Sequence, residues 1–177
     1  MPYVPPHLRK KHALPEGFSL NLRRKTLVVP MINNKYIVTK YKNTGNTTFI
    51  SGGCKSKENI RNCAGKELGE EARYSIKNRN FKKNFTFNVG PNYRSPKELA
   101  QNKNRKIVVI TTYHTFFLKP TKPFKNIYTN FHKFTPRTNS EKEMSNIMLM
   151  SLNNLNNNNK LWVVMKNKVL PELRKRR

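Results

Sequence analysis

The sequence predicts an α/β fold, and three observations carry that expectation. Short β-branched and aromatic runs broken by Asn- and Gly-containing turns fill residues 25–50. Apolar residues then recur every four positions through 59–72, and residues 106–118, KIVVITTYHTFFL, form the strongest β pattern in the chain. Helical ridges between strands call for helices packed on a sheet. At 177 residues the chain suits one domain with a single core.

Taken in order, residues 1–24 read as a flexible, Pro-containing basic arm, 25–173 as the folded domain and 174–177 as a basic tail. Strands are expected at 27–32, 36–41 and 47–50, separated by Asn-Asn and Asn-Thr-Gly-Asn turns. The third leads into Gly52-Gly53, where glycine lets a loop approach a metal or phosphate closely. A helix follows from about Asn59, with Ile60, Ala64, Leu68 and Ala72 as its packing ridge. Residues 81–89 read as a strand, and 91–106 as a long hairpin loop or short helix. Residues 106–118 form a central strand that carries His114 as a core or sheet-face histidine. The basic stretch to 133 sets Phe124, Tyr128 and Phe131 for a substrate channel. Residues 160–173 form an amphipathic helix that Pro171 is placed to end early.

The formal net charge of +27 implies strong self-repulsion unless a polyanion neutralises it. Nucleic acid is the commonest such partner, with Arg9, Lys10, Lys11, Arg23, Arg24, Arg174, Lys175, Arg176 and Arg177 as terminal phosphate contacts. No apolar run approaches a membrane span, and the N-terminus lacks the apolar stretch of a signal peptide. These features point to a cytoplasmic protein, with nuclear entry open to its basic tail. Cys54 and Cys63 read as free thiols of a reducing compartment. His7 and His12 carry no metal-site pattern.

Against this basic background the stretch 52–74, GGCKSKENIRNCAGKELGEEARY, holds four of the nine acidic residues in a chain without aspartate. Glu67, Glu70 and Glu71 fall at i, i+3 and i+4, on one face of a helix, where like charges are unfavourable unless a cation gathers them. Oxygen-only donors of this kind suit Mg²⁺ or Mn²⁺.

These residues resemble the signature of the Nudix hydrolases, G-x5-E-x7-R-E-U-x-E-E-x-G-U, with U a bulky apolar residue. Counting from Gly52 places Glu58, Lys66 for the arginine, Glu67, Leu68, Glu70 and Glu71, then Arg73 for the glycine and Tyr74. Gly53 is the alternative signature glycine if the loop is one residue shorter. A second partial match, residues 143–152, resembles the family's E-U-x-x-U-x-W-U-x-U, with Glu143 as an added catalytic carboxylate and Glu141 and Glu98 as alternates. The resemblance implies an α/β/α sandwich around a mixed sheet and hydrolysis of a nucleoside diphosphate linked to another moiety. It further implies metal held by Glu67, Glu70 and Glu71, and an orienting pair of Glu58 with Lys66. More loosely, the chain is similar to the decapping Nudix enzymes of large cytoplasmic DNA viruses, which fits the charge and points to capped mRNA. Hydrolysis of diphosphoinositol polyphosphates or nucleotide diphosphates is the alternative. A third reading is a non-catalytic RNA-binding or translation-linked module. Its docking peptide would be residues 3–9, which resemble the tails of DEAD-box RNA helicases and match the Tyr3/Leu8 spacing of peptides that bind the cap-binding factor.

Overall fold

A computed structural model of the chain describes residues 16–77, 80–90 and 96–176. Its elements are β1 (Ser19–Ile32), β2 (Lys35–Tyr41), β3 (Thr47–Thr48), β4 (Ile50–Cys54) and α1 (Ile60–Glu67), which a π-helical turn, Leu68–Ala72, continues. There follow β5 (Lys82–Val89), α2 (Pro96–Asn104), β6 (Ile107–Leu118), α3 (Phe124–Lys133), β7 (Met144–Ser151) and α4 (Leu152–Asn157). A second π-helical turn, Met165–Val169, then runs into α5 (Leu170–Arg174).

β1 is the axis of the mixed sheet. It runs parallel to β6 from Ser19 opposite Ile107 to Pro30 opposite Leu118, and antiparallel to β4 from Arg24 opposite Cys54. β5 pairs antiparallel with the far side of β6. At its C-terminal end β1 turns into β2 through Asn33 and Asn34, both at positive φ (50° and 61°). This is the two-residue hairpin geometry that asparagine tolerates better than most residues. β2 in turn holds β3 on one side and β7 on the other.

Alternation along β1 sends neighbouring residues into opposite cores. Leu27 and Val29 pack with Tyr113, Leu155, Val169 and Leu173, under α4 and α5. Val28 packs with Ile50, Ala64, Leu68, Phe116 and Phe131, under α1 and α3. Helices therefore cover both faces, and the expected α/β/α sandwich with a mixed sheet is the architecture observed. No helix among the described residues is long and apolar enough to cross a membrane.

Several expectations are corrected in detail. β1 starts at Ser19, so residues 19–24 belong to the sheet rather than to the arm. The strand expected at 47–50 is two strands. The chain leaves β2 and joins β1 at Phe49, whose ring is fully buried. Residues 96–104 take the helical option. Pro171 does not end the last helix but sits in the first turn of α5, directly after the wider π-helical turn Met165–Val169. Cys54 and Cys63 are joined in a disulfide, not free. Phe131 is a core residue beneath α3, and neither it nor Phe124 nor Tyr128 lines a channel by the carboxylates.

Candidate functional site

Asn59 starts α1 by accepting hydrogen bonds from the N–H groups of Arg61 (2.9 Å) and Asn62 (3.2 Å). Ala64 and Leu68 then lock the helix onto the sheet, and burying Leu68 contributes roughly 1.5–3 kcal/mol. That anchoring sets the rotation at which the glutamates emerge. Glu67 closes α1, while Glu70 and Glu71 lie in the wider π-helical turn. Such turns are rare and recur at functional sites. The sequence pattern had placed all three carboxylates on a regular α-helix.

Glu67 and Glu71 are only 7% and 3% exposed. The Glu71 carboxylate accepts the Ser51 N–H at 3.0 Å. The Glu67 carboxylate lies against Gly52, where an added Cβ would fall 1.8 Å from Cδ. The same test at Gly53 meets open space, so Gly52 is the residue whose missing side chain makes the cradle. Burial, then the charge of Glu70, pushes Glu67 up to about 7, with Lys66 opposing. Burial first, then Glu67, Glu143 and Glu70, holds Glu71 well above the usual carboxylate range against the opposing Ser51 N–H. Tyr41 is raised by burial and then by Glu71 and Glu143.

Glu143, just before β7, therefore shares one electrostatic field with Glu67, Glu71 and Tyr41, and its own side chain is exposed. Of the alternates, Glu141 is held in a local turn by the Thr138 N–H (3.1 Å), and Glu98 reaches the cavity described below. Carboxylate oxygens of which two, on Glu67 and Glu71, are buried against the Ser51–Gly52 segment fit a hard divalent cation.

The loop before α1 is held differently from expectation. Lys66 is exposed and makes no ion pair with Glu58; the Glu58 carboxylate instead accepts the Lys55 N–H at 3.0 Å. Arg24, reaching over from β1, donates to the carbonyls of Lys55 (2.5 Å), Ser56 (2.9 Å) and Glu58 (2.9 Å). The Cys54–Cys63 disulfide ties the same loop to α1. At the other end of the helix Arg73 adopts the left-handed conformation (φ 55°, ψ 37°) in place of glycine. Its guanidinium lies 4.0 Å from the Phe131 ring centre and donates to the carbonyls of Phe131 (2.6 Å) and Glu141 (3.2 Å).

Beside the carboxylates lies a cavity of about 450 Å³ lined by Tyr41, Ser51, Tyr113 and Trp162, with Lys25 and Lys160 at hand. The Tyr113 ring stacks on Phe87 (4.9 Å between centres, 4° between planes), and Trp162 lies 6.4 Å away at a tilt. Sequence reasoning missed Tyr41, Tyr113, Trp162 and the two lysines. In the sequence Tyr41 and Tyr113 are ordinary strand residues, and only the single tryptophan carried any signal.

Of the basic positions, Arg23 is exposed on β1, Arg174 belongs to α5, Lys175 pairs with Glu172 (3.2 Å), and Arg176 lies over the Phe117 ring. Tyr3, Leu8, Arg9, Lys10, Lys11 and Arg177 fall outside the described residues.

No family model matches the sequence, and no curated protein matches it. Solved structures do. The Bacillus subtilis pyrophosphohydrolase BsRppH is similar over 91% of this chain and 84% of its own, at 17% identity and a TM-score of 0.56. The Nudix domain of Shewanella oneidensis NrtR, solved with ADP ribose, is similar over 98% and 99%, at 12% identity and a TM-score of 0.53. The E. coli ORF135 protein is similar over 89% and 94%, at 12% identity and a TM-score of 0.53. The fold of this chain is that of the Nudix hydrolases.

Proposed function

We propose that this chain is a divalent-metal-dependent Nudix hydrolase that cleaves a pyrophosphate-type linkage, with capped RNA as substrate. The observation that carries the reading is the pair of buried carboxylates, Glu67 against Gly52 and Glu71 on the Ser51 N–H, with Glu143 within electrostatic reach, beside a cavity with an aromatic wall and two lysines. Glu67, Glu70 and Glu71 would hold Mg²⁺ or Mn²⁺, which when bound neutralises phosphate charge and acidifies water. Glu143, exposed just before β7, accepts a proton from the attacking water as the water oxygen bonds to phosphorus. The bridging P–O bond breaks, and a nucleoside diphosphate leaves with the electron pair. Lys25 and Lys160 orient the phosphates electrostatically.

The half-buried Trp162 ring at the cavity favours a nucleobase over an inositol, because a base can stack on it, whereas Tyr113 is already stacked on Phe87. The net charge of +27 favours a long backbone over a free nucleotide. The deciding assay offers cap-labelled RNA, free cap dinucleotide and an inositol pyrophosphate with Mg²⁺ or Mn²⁺. Release of methylated guanosine diphosphate from RNA, lost in Glu70→Gln and Glu71→Gln, is the expected result. A faster turnover of the inositol compound would overturn the substrate assignment, and RNA binding without turnover under either ion would replace the enzyme with a binding module.

A further inference from the structure

On the sheet face that carries α1, the strands β1, β6 and β5 leave an open groove of about 720 Å³. Register places its side chains in rows: Arg24 opposite Thr112 and Asn88, then His114 opposite Thr86, then Lys83 opposite Phe116. The bulge between Lys83 and Phe85 returns Lys83 to the same face as Thr86. Arg24 and Lys83 are the two cations on this face, with no carboxylate among the lining residues; Arg23 and Lys25 border the groove from β1 positions that alternate to the other face. Leu22, at the end of the groove, is 39% exposed and offers an apolar surface.

His114 lies on the floor. Its Nδ1 is buried with no hydrogen-bond partner among the described residues. Burial, then the neighbouring Lys83 and Arg24, holds the imidazole below its ordinary value, so the ring is neutral at pH 7. Arg24 and Lys83 face this hollow without a lining carboxylate, so an anion entering it is electrostatically favoured. The groove also abuts Gly53, Cys54 and Ser56, directly after the Ser51 and Gly52 positions that touch Glu71 and Glu67.

We propose that this groove binds the phosphate backbone of a single-stranded RNA, carrying the nucleotides downstream of the bond held at the carboxylates. This placement rests on the capped-RNA reading; the anion-binding chemistry of the groove does not. Arg24 on β1 and Lys83 on β5 stand with β6 between them and four register positions apart, so successive phosphates of a chain can engage both. A lone small anion would leave one of them unused.

The test uses Lys83→Glu with Thr86→Glu, both exposed positions whose exchange spares the core. A control, Lys125→Glu with Lys133→Glu on exposed α3 positions, carries a larger charge change away from the groove. Binding of an uncapped twelve-nucleotide RNA is followed by fluorescence anisotropy at two salt concentrations, and hydrolysis of capped RNA and free cap dinucleotide is measured alongside. The groove variant should bind RNA about tenfold or more weakly at low salt, with its log–log salt slope reduced by about one. The control should change far less, and dinucleotide hydrolysis by the groove variant should match wild type. Equal losses in groove variant and control, or unchanged RNA binding, would overturn the proposal. So would a parallel loss on the dinucleotide, which would make the groove part of the hydrolytic site. If wild type hydrolyses neither capped substrate yet RNA binding still depends on Lys83 and Thr86, the groove stands and the decapping reading falls.

Discussion

Replacing Glu67 with glutamine separates the electrostatic cost of the carboxylate cluster from its packing. Glutamine keeps the size of the side chain lying on Gly52 but cannot ionise at neutral pH. In the metal-free protein a shift from 4.5 to about 7 corresponds to roughly 3 kcal/mol. Because the folded-state value is raised, the unfolded chain loses this proton first. The favourable contribution of the neutral carboxyl is therefore complete below pH 4.5 and is lost as pH rises through about 7. Urea and thermal unfolding in EDTA at pH 5 and pH 8 would read it out. The two proteins should differ by about 1 kcal/mol or less at pH 5, and Glu67→Gln should be more stable at pH 8 by up to about 3 kcal/mol, or about 6–12 °C in Tm for a chain of this size. Glu71 titrates in both proteins, so the difference between them is the diagnostic quantity. Mg²⁺ at pH 8 should stabilise wild type more than the variant. A stability gap of the same size at both pH values, or a variant less stable at pH 8, would refute the reasoning.

Glu71→Gln and Glu70→Gln should each lower hydrolysis by about 10²-fold or more while circular dichroism shows the fold intact. Arg24→Lys, which loses the guanidinium that spans three loop carbonyls, should cost about tenfold in kcat, whereas Lys66→Arg should stay within about twofold because Lys66 is exposed and unpaired with Glu58. Arg73→Gly restores the residue that a left-handed cap favours, yet it should lower stability by about 1–2 kcal/mol, measured by urea unfolding, since two hydrogen bonds and a cation–π contact outweigh the relieved strain. Cys54→Ser with Cys63→Ser should lower stability by about 2–3 kcal/mol by releasing a short loop in the unfolded chain, and a reductant should reproduce that loss in wild type and leave the variant unmoved.

The α1 ridge and the β6 strand were legible because their signals are periodic and local, and the glutamate spacing needed no tertiary information. The bounds of β1 were not. LNLRRK alternates weakly and carries three cations, so nothing local shows that it pairs with residues 108–113. The disulfide was hidden for a related reason, since two cysteines nine residues apart become neighbours only after the loop folds back onto α1. Gly52 and Gly53 were indistinguishable until the position of the Glu67 carboxylate chose between them. The cavity walls come from β1, β2, β6 and the segment around Trp162, distant in sequence, and strand aromatics facing a pocket look like those facing a core.

The two departures from the signature, Lys66 and Arg73, bracket the glutamates, and each is answered by a residue far away in the chain. At the N-terminal side Arg24 takes over the loop from a neighbouring strand, so the loop's position depends on β1 pairing with β4. At the C-terminal side Arg73 spends the strain of its left-handed backbone on docking to α3, and Asn130 on α3 returns a 2.8 Å hydrogen bond to the Arg73 carbonyl. A glycine there would let the helix end in isolation, whereas arginine makes the end of the glutamate segment and α3 one packed unit. The carboxylates thus sit on a segment held at both ends by tertiary contacts, which resists the mutual repulsion of Glu67, Glu70 and Glu71 when no cation is bound. On this account Arg24 and Arg73 substitutions should act together, because each anchor alone still restrains the segment. The double variant Arg24→Lys/Arg73→Gly should therefore lose more activity at low Mg²⁺ than the product of the single losses. Strictly multiplicative losses across a Mg²⁺ titration would show that the two ends act independently.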